Sequence, residues 1–427
     1  MNKRAFFTSQ LAYWFFEVEW HYKTLLSVSI ECVADLPDDV NALIDELLLK
    51  YPARPSQRKI ASFLNASERL CHWFDRNSIQ PTMTRFTLQH TNANTAIEKP
   101  FPTLTTVGDL AQWLSVTSTE LDWFANCWRD ELSTPKHLQH YQYHIVEKRS
   151  GGMRLIEQPK VELKRIQRRI NELILNNLDT HAAAHGFCRG RNCVSHASNH
   201  VGKRYLITYD IADCFHSIDW PVIKNVFRRI GYSEQVSFYL AALCSHRVQL
   251  DYKSLRQFTR AQRSRLIQRH LPQGAPTSPA LANAALHQLD VRLTGLANSL
   301  EMDYSRYADD IAMSSNVHRD WRFLESLIGG ICLEEGVSLN HRKTRTKRPH
   351  QKQRLVGIVV NTKPNIDRQY YDTLKATLTN CKKFGLESQN REGHLHFRAQ
   401  LLGRIQYVKS LSKNKGEKLE RIYRDIA

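Results

Sequence analysis

The sequence predicts an α+β fold, with strands and helices in the middle, a mostly helical extension before them and basic helices after them. Three observations carry this expectation. An apolar, β-branched run leads into Asp210, and a tight turn carries Asp309 and Asp310; apolar residues recur at helical spacing in Val40 to Leu49, Ile60 to Phe74 and Leu401 to Leu411; and charge is distributed unevenly. At 427 residues the chain is long enough for two or three domains. The expected divisions are an extension over 1–105, a strand-bearing region over 106–361 and a basic helical region over 362–427.

The extension has no motif that assigns it chemistry. Lys99-Pro-Phe-Pro102 reads as a linker, and Leu110, Leu114, Leu121 and Trp123 mark a short helical segment after it. Glu17 and Glu19 interrupt the first apolar run too early for a secretory signal, and no stretch is apolar enough to span a bilayer. Nine cysteines without a Cys-x-x-Cys pair fit reduced thiols. A cytoplasmic protein with no membrane partner is therefore expected.

Next, His144 to Pro159 reads as a hairpin turning at Ser150-Gly151-Gly152, with Lys148 and Arg154 as basic groups beside the turn. The guanidinium of Arg154 is a planar fork suited to phosphate oxygens. His181, His185, Cys188, Cys193, His196 and His200 then crowd within twenty residues. His181 and His185 are spaced to share a helical face, but the cluster matches no standard zinc finger.

Arg204 to Phe215 reads as a buried strand running into Asp210, while Asp219 is better placed to cap the helix that follows. Arg256, Arg260, Arg263, Arg265 and Arg269 form a basic run that could track phosphates. Leu271 to Asn283 is a turn in which Gln273 offers amide groups, Gly274 permits close backbone approach and Ser278-Pro279 opens a helix. Tyr307-Ala308-Asp309-Asp310 places two carboxylates in a tight turn. Paired aspartates are common in solvated turns, but three carboxylates from two strands can clamp two divalent ions for phosphoryl transfer.

Net charge is +18, and residues 341–427 contain 21 basic against 7 acidic side chains, whereas residues 1–100 contain 11 of each. An excess concentrated in the final fifth suits a polyanionic partner, with Arg404 and Lys409 on the polar side of a helix.

Taken together, these blocks resemble the reverse transcriptase family from about Tyr141 to the C-terminus, in the family's order. The resemblance implies a right-hand polymerase with fingers, an antiparallel palm and a helical thumb, copying RNA into DNA from dNTPs. It implies two Mg²⁺ ions, with Mn²⁺ as a substitute, held by Asp210, Ile211, Asp309 and Asp310. Lys148 and Arg154 meet the triphosphate, Gln273 and Gly274 shape the template–nucleotide pocket, and Phe215 excludes a 2′-hydroxyl. Asn340 to Thr344 supplies Lys343 near the leaving pyrophosphate, and Arg354 to Asn361, with Gly357, resembles the primer grip. Arg256, Arg260, Arg263, Arg404 and Lys409 would contact nucleic acid.

Within the family, the Leu271 to Pro279 loop resembles bacterial retron-type enzymes. His196-Ala-Ser-Asn-His200 resembles their Asn-Ala-x-x-His signature with histidine for asparagine, and Leu355-Val-Gly357 stands where they have Val-Thr-Gly. A retron-type enzyme implies a structured noncoding RNA as template and primer, a DNA product joined to it, anti-phage defence and a separate effector protein. Open alternatives are a group II intron-like or other bacterial reverse transcriptase, an RNA-directed RNA polymerase, and an RNA-binding maturase or scaffold.

Overall fold

A computed structural model describes residues 3–18, 20–34, 39–52, 55, 57–76, 82–83, 101–126, 135–148 and 151–426. The chain forms two compact units: residues 1–140 with 227–243, and residues 141–226 with 244–427. The division thus falls at His140 rather than at residue 105, and the basic C-terminal helices share a unit with the strands.

Seven helices from Lys3–Glu17 to Ser118–Ala125, with the short pair β1 (Val33–Ala34) and β2 (Thr82–Met83), make up most of what is described in the first unit. In the helix Val40–Lys50, Val40, Leu43, Ile44 and Leu47 are buried, the i, i+3, i+4, i+7 stripe expected from sequence. The Ile60 to Phe74 run is two helices, Gln57–Ala66 and Glu68–Arg76, interrupted at Ser67. Capping boxes at Thr106 with Asp109 and at Thr117 with Glu120 start the next two helices. The first half of the expected linker lies outside the described residues.

The second unit is α+β. Strands β3 (Tyr141–Glu147) and β4 (Met153–Pro159) form the hairpin, whose turn is closed by Lys148 N–H donating to the Gly152 carbonyl at 2.8 Å; Ser150 lies outside the described residues. A four-stranded antiparallel sheet contains β5 (Tyr205–Asp210), β6 (Asp303–Tyr307), β7 (Asp310–Ser315) and β8 (Arg345–Lys347) in the order β6-β7-β5-β8. Its strands alternate between two cores. Ile207, Tyr209, Ile311 and Met313 meet Leu289 and Ile328 from the helices His287–Ser299 and Trp321–Glu334, whereas Leu206 and Ala312 meet Leu355, Ile358 and Val360.

The strand expected to continue to Phe215 stops at Asp210, and Phe215 lies on the short helix Cys214–Ser217. Similarly, the Leu355 to Val360 run is not one strand. Val356 (φ 43°) and Gly357 (φ 90°) turn it, leaving β9 (Arg354–Leu355) paired with β10 (Ile358–Val359), which also pairs with β11 (Asn365–Ile366). Helices Arg368–Phe384, Phe397–Leu411 and Lys413–Arg424 complete the unit around Leu374, Leu378, Leu401, Ile405 and Leu419. Among the described residues no helix is long and apolar enough to cross a membrane, and the eight described cysteines are all free thiols.

Candidate active site

Strands β6 and β7 pair Tyr307 with Asp310, so Ala308 and Asp309 are the two turn residues. Ala308 sits at φ 56°, where glycine is favoured. Two contacts hold it there. Arg306, fully buried in β6, donates from Nη1 to the Ala308 carbonyl at 2.9 Å while Nε and Nη2 engage both Asp290 carboxylate oxygens at 2.8 and 2.6 Å. From the other side Gly186 packs so closely that a Cβ there would stand 2.5 Å from the Ala308 nitrogen. The turn is therefore clamped before any ligand arrives.

Because β5 pairs with β7 in register, Asp210 lies directly opposite Asp310. Like charges in that relation repel. Asp210 is buried and accepts from Lys343 Nζ at 2.8 Å and Asn340 Nδ2 at 3.3 Å, and the Ile211 amide donates to the Asp309 carbonyl at 2.9 Å. Burial, followed by the Asp210 charge, raises the Asp309 carboxyl, with Lys343 and Arg154 opposing. Asp310 remains open to solvent on one side, yet surrounding protein and the charges of Asp309 and Asp210 push it up to about 6. Such a set of oxygen donors, short of positive charge, fits hard divalent cations.

Other expected site residues approach from separate segments. Arg154 is exposed on β4, and its charge reaches Asp309; Lys148 pairs with Asp213 at 3.8 Å. Phe215 is half-buried, its ring 6.5 Å from that of Phe187. The Gln273 carbonyl accepts from the Glu157 amide at 2.9 Å, and at Gly274 (φ 138°) a Cβ would lie 2.8 Å from the Glu157 carbonyl, so the loop is pressed against β4.

The expected arginine track is not one surface. Arg256 and Arg260 are exposed, but Arg263 donates to the Phe258 carbonyl, Arg265 to the Ala212 carbonyl and Arg269 to Ser245, so those three side chains are engaged with the unit's own chain. Gly357 occupies the β9–β10 turn. Arg404 lies over the Tyr370 ring, 5.2 Å from its centre, and Lys409 bonds both Glu420 oxygens at 2.9 Å, leaving its charge matched within the thumb-like helices.

His181 and His185 do not share a helical face. Their segment is a turn bridged to β6 at Ala184 and Arg306, whose pairing overrides the helical spacing. His185 bonds Ser195 at 2.8 Å, while His196 and His200 both bond Ser305 at 2.7 Å; burial pushes each of the latter two down to about 3. Among the described residues, the three histidine, cysteine or acid groups whose ligand atoms all lie within 4.8 Å of one another are instead Glu157, His216 and His270; Asp210, Asp309 and Asp310 stand wider apart than that as a trio. No local signal in the sequence marks these residues, or Arg306 and Asp290, because each group joins residues remote in the chain or buries a charge where periodicity expects an apolar residue.

Comparison with known proteins covers these segments. Residues 146–360, half of the chain, match the family described as Reverse transcriptase (RNA-dependent DNA polymerase). The Retron Mx65 reverse transcriptase of Myxococcus xanthus is 36% identical over 67% of this chain and 65% of its own length. The Retron Mx162 reverse transcriptase of the same organism is 34% identical over 64% and 58%, and the Retron Ec86 reverse transcriptase of Escherichia coli is 29% identical over 65% and 83%. The chain thus spans less than two thirds of the length of the first two relatives.

Proposed function

Because this chain belongs to the reverse transcriptase family, we propose that it is an RNA-directed DNA polymerase of retron type, polymerising dNTPs on an RNA template. The observation that carries the reading is the register that brings Asp210 opposite Asp310, with Asp309 in the adjoining turn. Asp210, Asp309 and Asp310, with the Ile211 backbone, would hold two Mg²⁺ ions, or Mn²⁺ in their place. When bound, such ions lower the pKa of a primer hydroxyl and stabilise departing pyrophosphate.

The chain's own side chains do the remaining work. Arg154 and Lys148 orient the triphosphate, and Lys343, now 2.8 Å from Asp210, carries a proton at Nζ within reach of the same centre. Phe215 lies under the sugar and excludes a 2′-hydroxyl. Gln273 and Gly274 form the wall against the template–nucleotide pair. The Gly357 turn steadies the primer end, and Arg256, Arg260 and Arg404 meet phosphates; Lys409 would have to leave Glu420 to do so.

The retron-like segments favour a structured noncoding RNA that serves as both template and primer, a short DNA left joined to it, and a role in cytoplasmic anti-phage defence with a separate effector protein. Purifying the protein from its host beside an Asp309→Asn control, and sequencing the accompanying nucleic acid, tests this reading. One abundant short DNA attached to one RNA, absent from the control, is expected. RNA without any carboxylate-dependent DNA would contradict it.

A further inference from the structure

Glu157 is fully buried on β4, three residues along from Arg154, and its carboxylate meets two imidazoles. His270 Nε2 lies 3.1 and 3.3 Å from its two oxygens, and His216 Nε2 lies 3.2 Å from Oε1. His270 Nδ1 is 2.7 Å from the Gln268 carbonyl, which can only accept, so Nδ1 carries hydrogen. For Nε2 to bond an ionised carboxylate, it must carry hydrogen too. Hence His270 is an imidazolium and Glu157 its counter-ion. Burial alone would raise the Glu157 carboxyl and lower the His270 imidazole; instead Glu157 is held below the usual carboxylate range and His270 is raised, each by its partner's charge.

The two imidazoles belong to different walls of the nucleotide pocket. His216 follows Phe215 on the one-turn helix Cys214–Ser217, where successive side chains project about 100° apart, so fixing one ring sets the direction of the other. His270 stands three residues before Gln273, whose carbonyl takes the Glu157 amide, and Gly274 is pressed against the Glu157 carbonyl. One buried acid therefore ties the sugar-side helix and the Gln273 loop to the strand that bears Arg154.

Resting on the reverse transcriptase reading above, we propose that Glu157, through His216 and His270, is a positioning residue that sets the distance between the Phe215 and Gln273 walls and so the enzyme's affinity for dNTPs and its choice of sugar. Glu157 touches no substrate.

The test compares wild-type protein with Glu157→Gln and His216→Ala in steady-state primer extension on an RNA template, with dNTPs and NTPs, alongside thermal unfolding and metal analysis of the purified protein. For Glu157→Gln, KM for dNTP should rise about tenfold with kcat within about twofold, and the dNTP/NTP preference should fall severalfold. His216→Ala removes one arm only and should lower sugar preference with a smaller change in KM. It also keeps the proposal testable if Glu157→Gln does not fold. Folded variants with wild-type KM and sugar preference, whatever their melting temperature, would overturn the positioning role. So would a stoichiometric zinc ion in wild-type protein that Glu157→Gln loses, since the clamp would then be a metal site. Failure of the reverse transcriptase reading is separate: the wild-type protein would itself make no DNA.

Discussion

Asp290 and Glu157 lie buried beside cations that the chain supplies, whereas Asp210, Asp309 and Asp310 share, among the described residues, one direct lysine contact. Asp290 receives two bonds from Arg306, and Glu157 is met by two imidazoles. At the strand ends, by contrast, Asp210 faces Asp310 across the sheet, and both Asp309 and Asp310 are raised. A fold that neutralises two buried acids with its own side chains has left three neighbouring acids under-compensated. The difference separates two uses of acid: balanced acids hold backbone in place, and the unbalanced set is where the proposed cations would bind.

The contrast can be broken first on the unbalanced side. Asp210→Asn is expected to cut primer extension about a thousandfold or more while the protein stays folded, because the proposed two-ion centre would lose an anionic ligand. Extension assays beside circular dichroism measure both quantities. On the balanced side, Arg306→Met strands the Asp290 charge and should destabilise the protein by about 3–5 kcal/mol, read by denaturant unfolding. Adding Asp290→Leu should restore much of that stability but not activity, since the Ala308 carbonyl still lacks its clamp. Recovery of both would show that Arg306 has no part in shaping the turn.

Smaller effects sharpen the comparison. Phe215→Ala should lower the dNTP/NTP preference by at least about tenfold, measured by competing the two nucleotides; an unchanged ratio removes Phe215 from its role. Asp310→Asn should raise metal-free stability by about 1 kcal/mol above pH 6, after allowance for solvent screening at this open carboxylate. The sign follows from the raised carboxyl. The native state holds the proton more tightly than the unfolded chain, so wild-type protein loses stability as pH rises from about 4 to about 6 and the advantage of the asparagine grows over the same interval. Adding Mg²⁺ should shrink it. Melting curves at pH 4, 5, 6 and 7 measure the trend.

Much of the fold is legible in the sequence because its signals are local. The hairpin that ends in Asp309 and Asp310, the helix opened by Ser278-Pro279 and the helical stripe from Leu401 are each set by neighbours a few residues away. Asp219 caps its helix as its position predicts, accepting from the Val222 amide at 3.2 Å. Long-range pairing hides the rest. Nothing local tells His270 that it will neutralise Glu157, 113 residues earlier. Arg306 sits at a strand position where burial expects an apolar side chain, and only Asp290 makes a charge tolerable there. The spacing of His181 and His185 suggests a helix, but bonds to β6 decide otherwise. The arginines from Arg256 to Arg269 look like one basic track in sequence, whereas Arg263, Arg265 and Arg269 are engaged with backbone or side chains of their own unit.

The most direct measurement is extension of a DNA or RNA primer on a defined RNA template by purified protein, with dNTPs and increasing Mg²⁺, for the wild type and for Asp309→Asn matched in fold and RNA binding. Mg²⁺-dependent DNA copies of the template are expected from the wild type and none above background from the variant. Near-normal synthesis by Asp309→Asn would contradict that expectation.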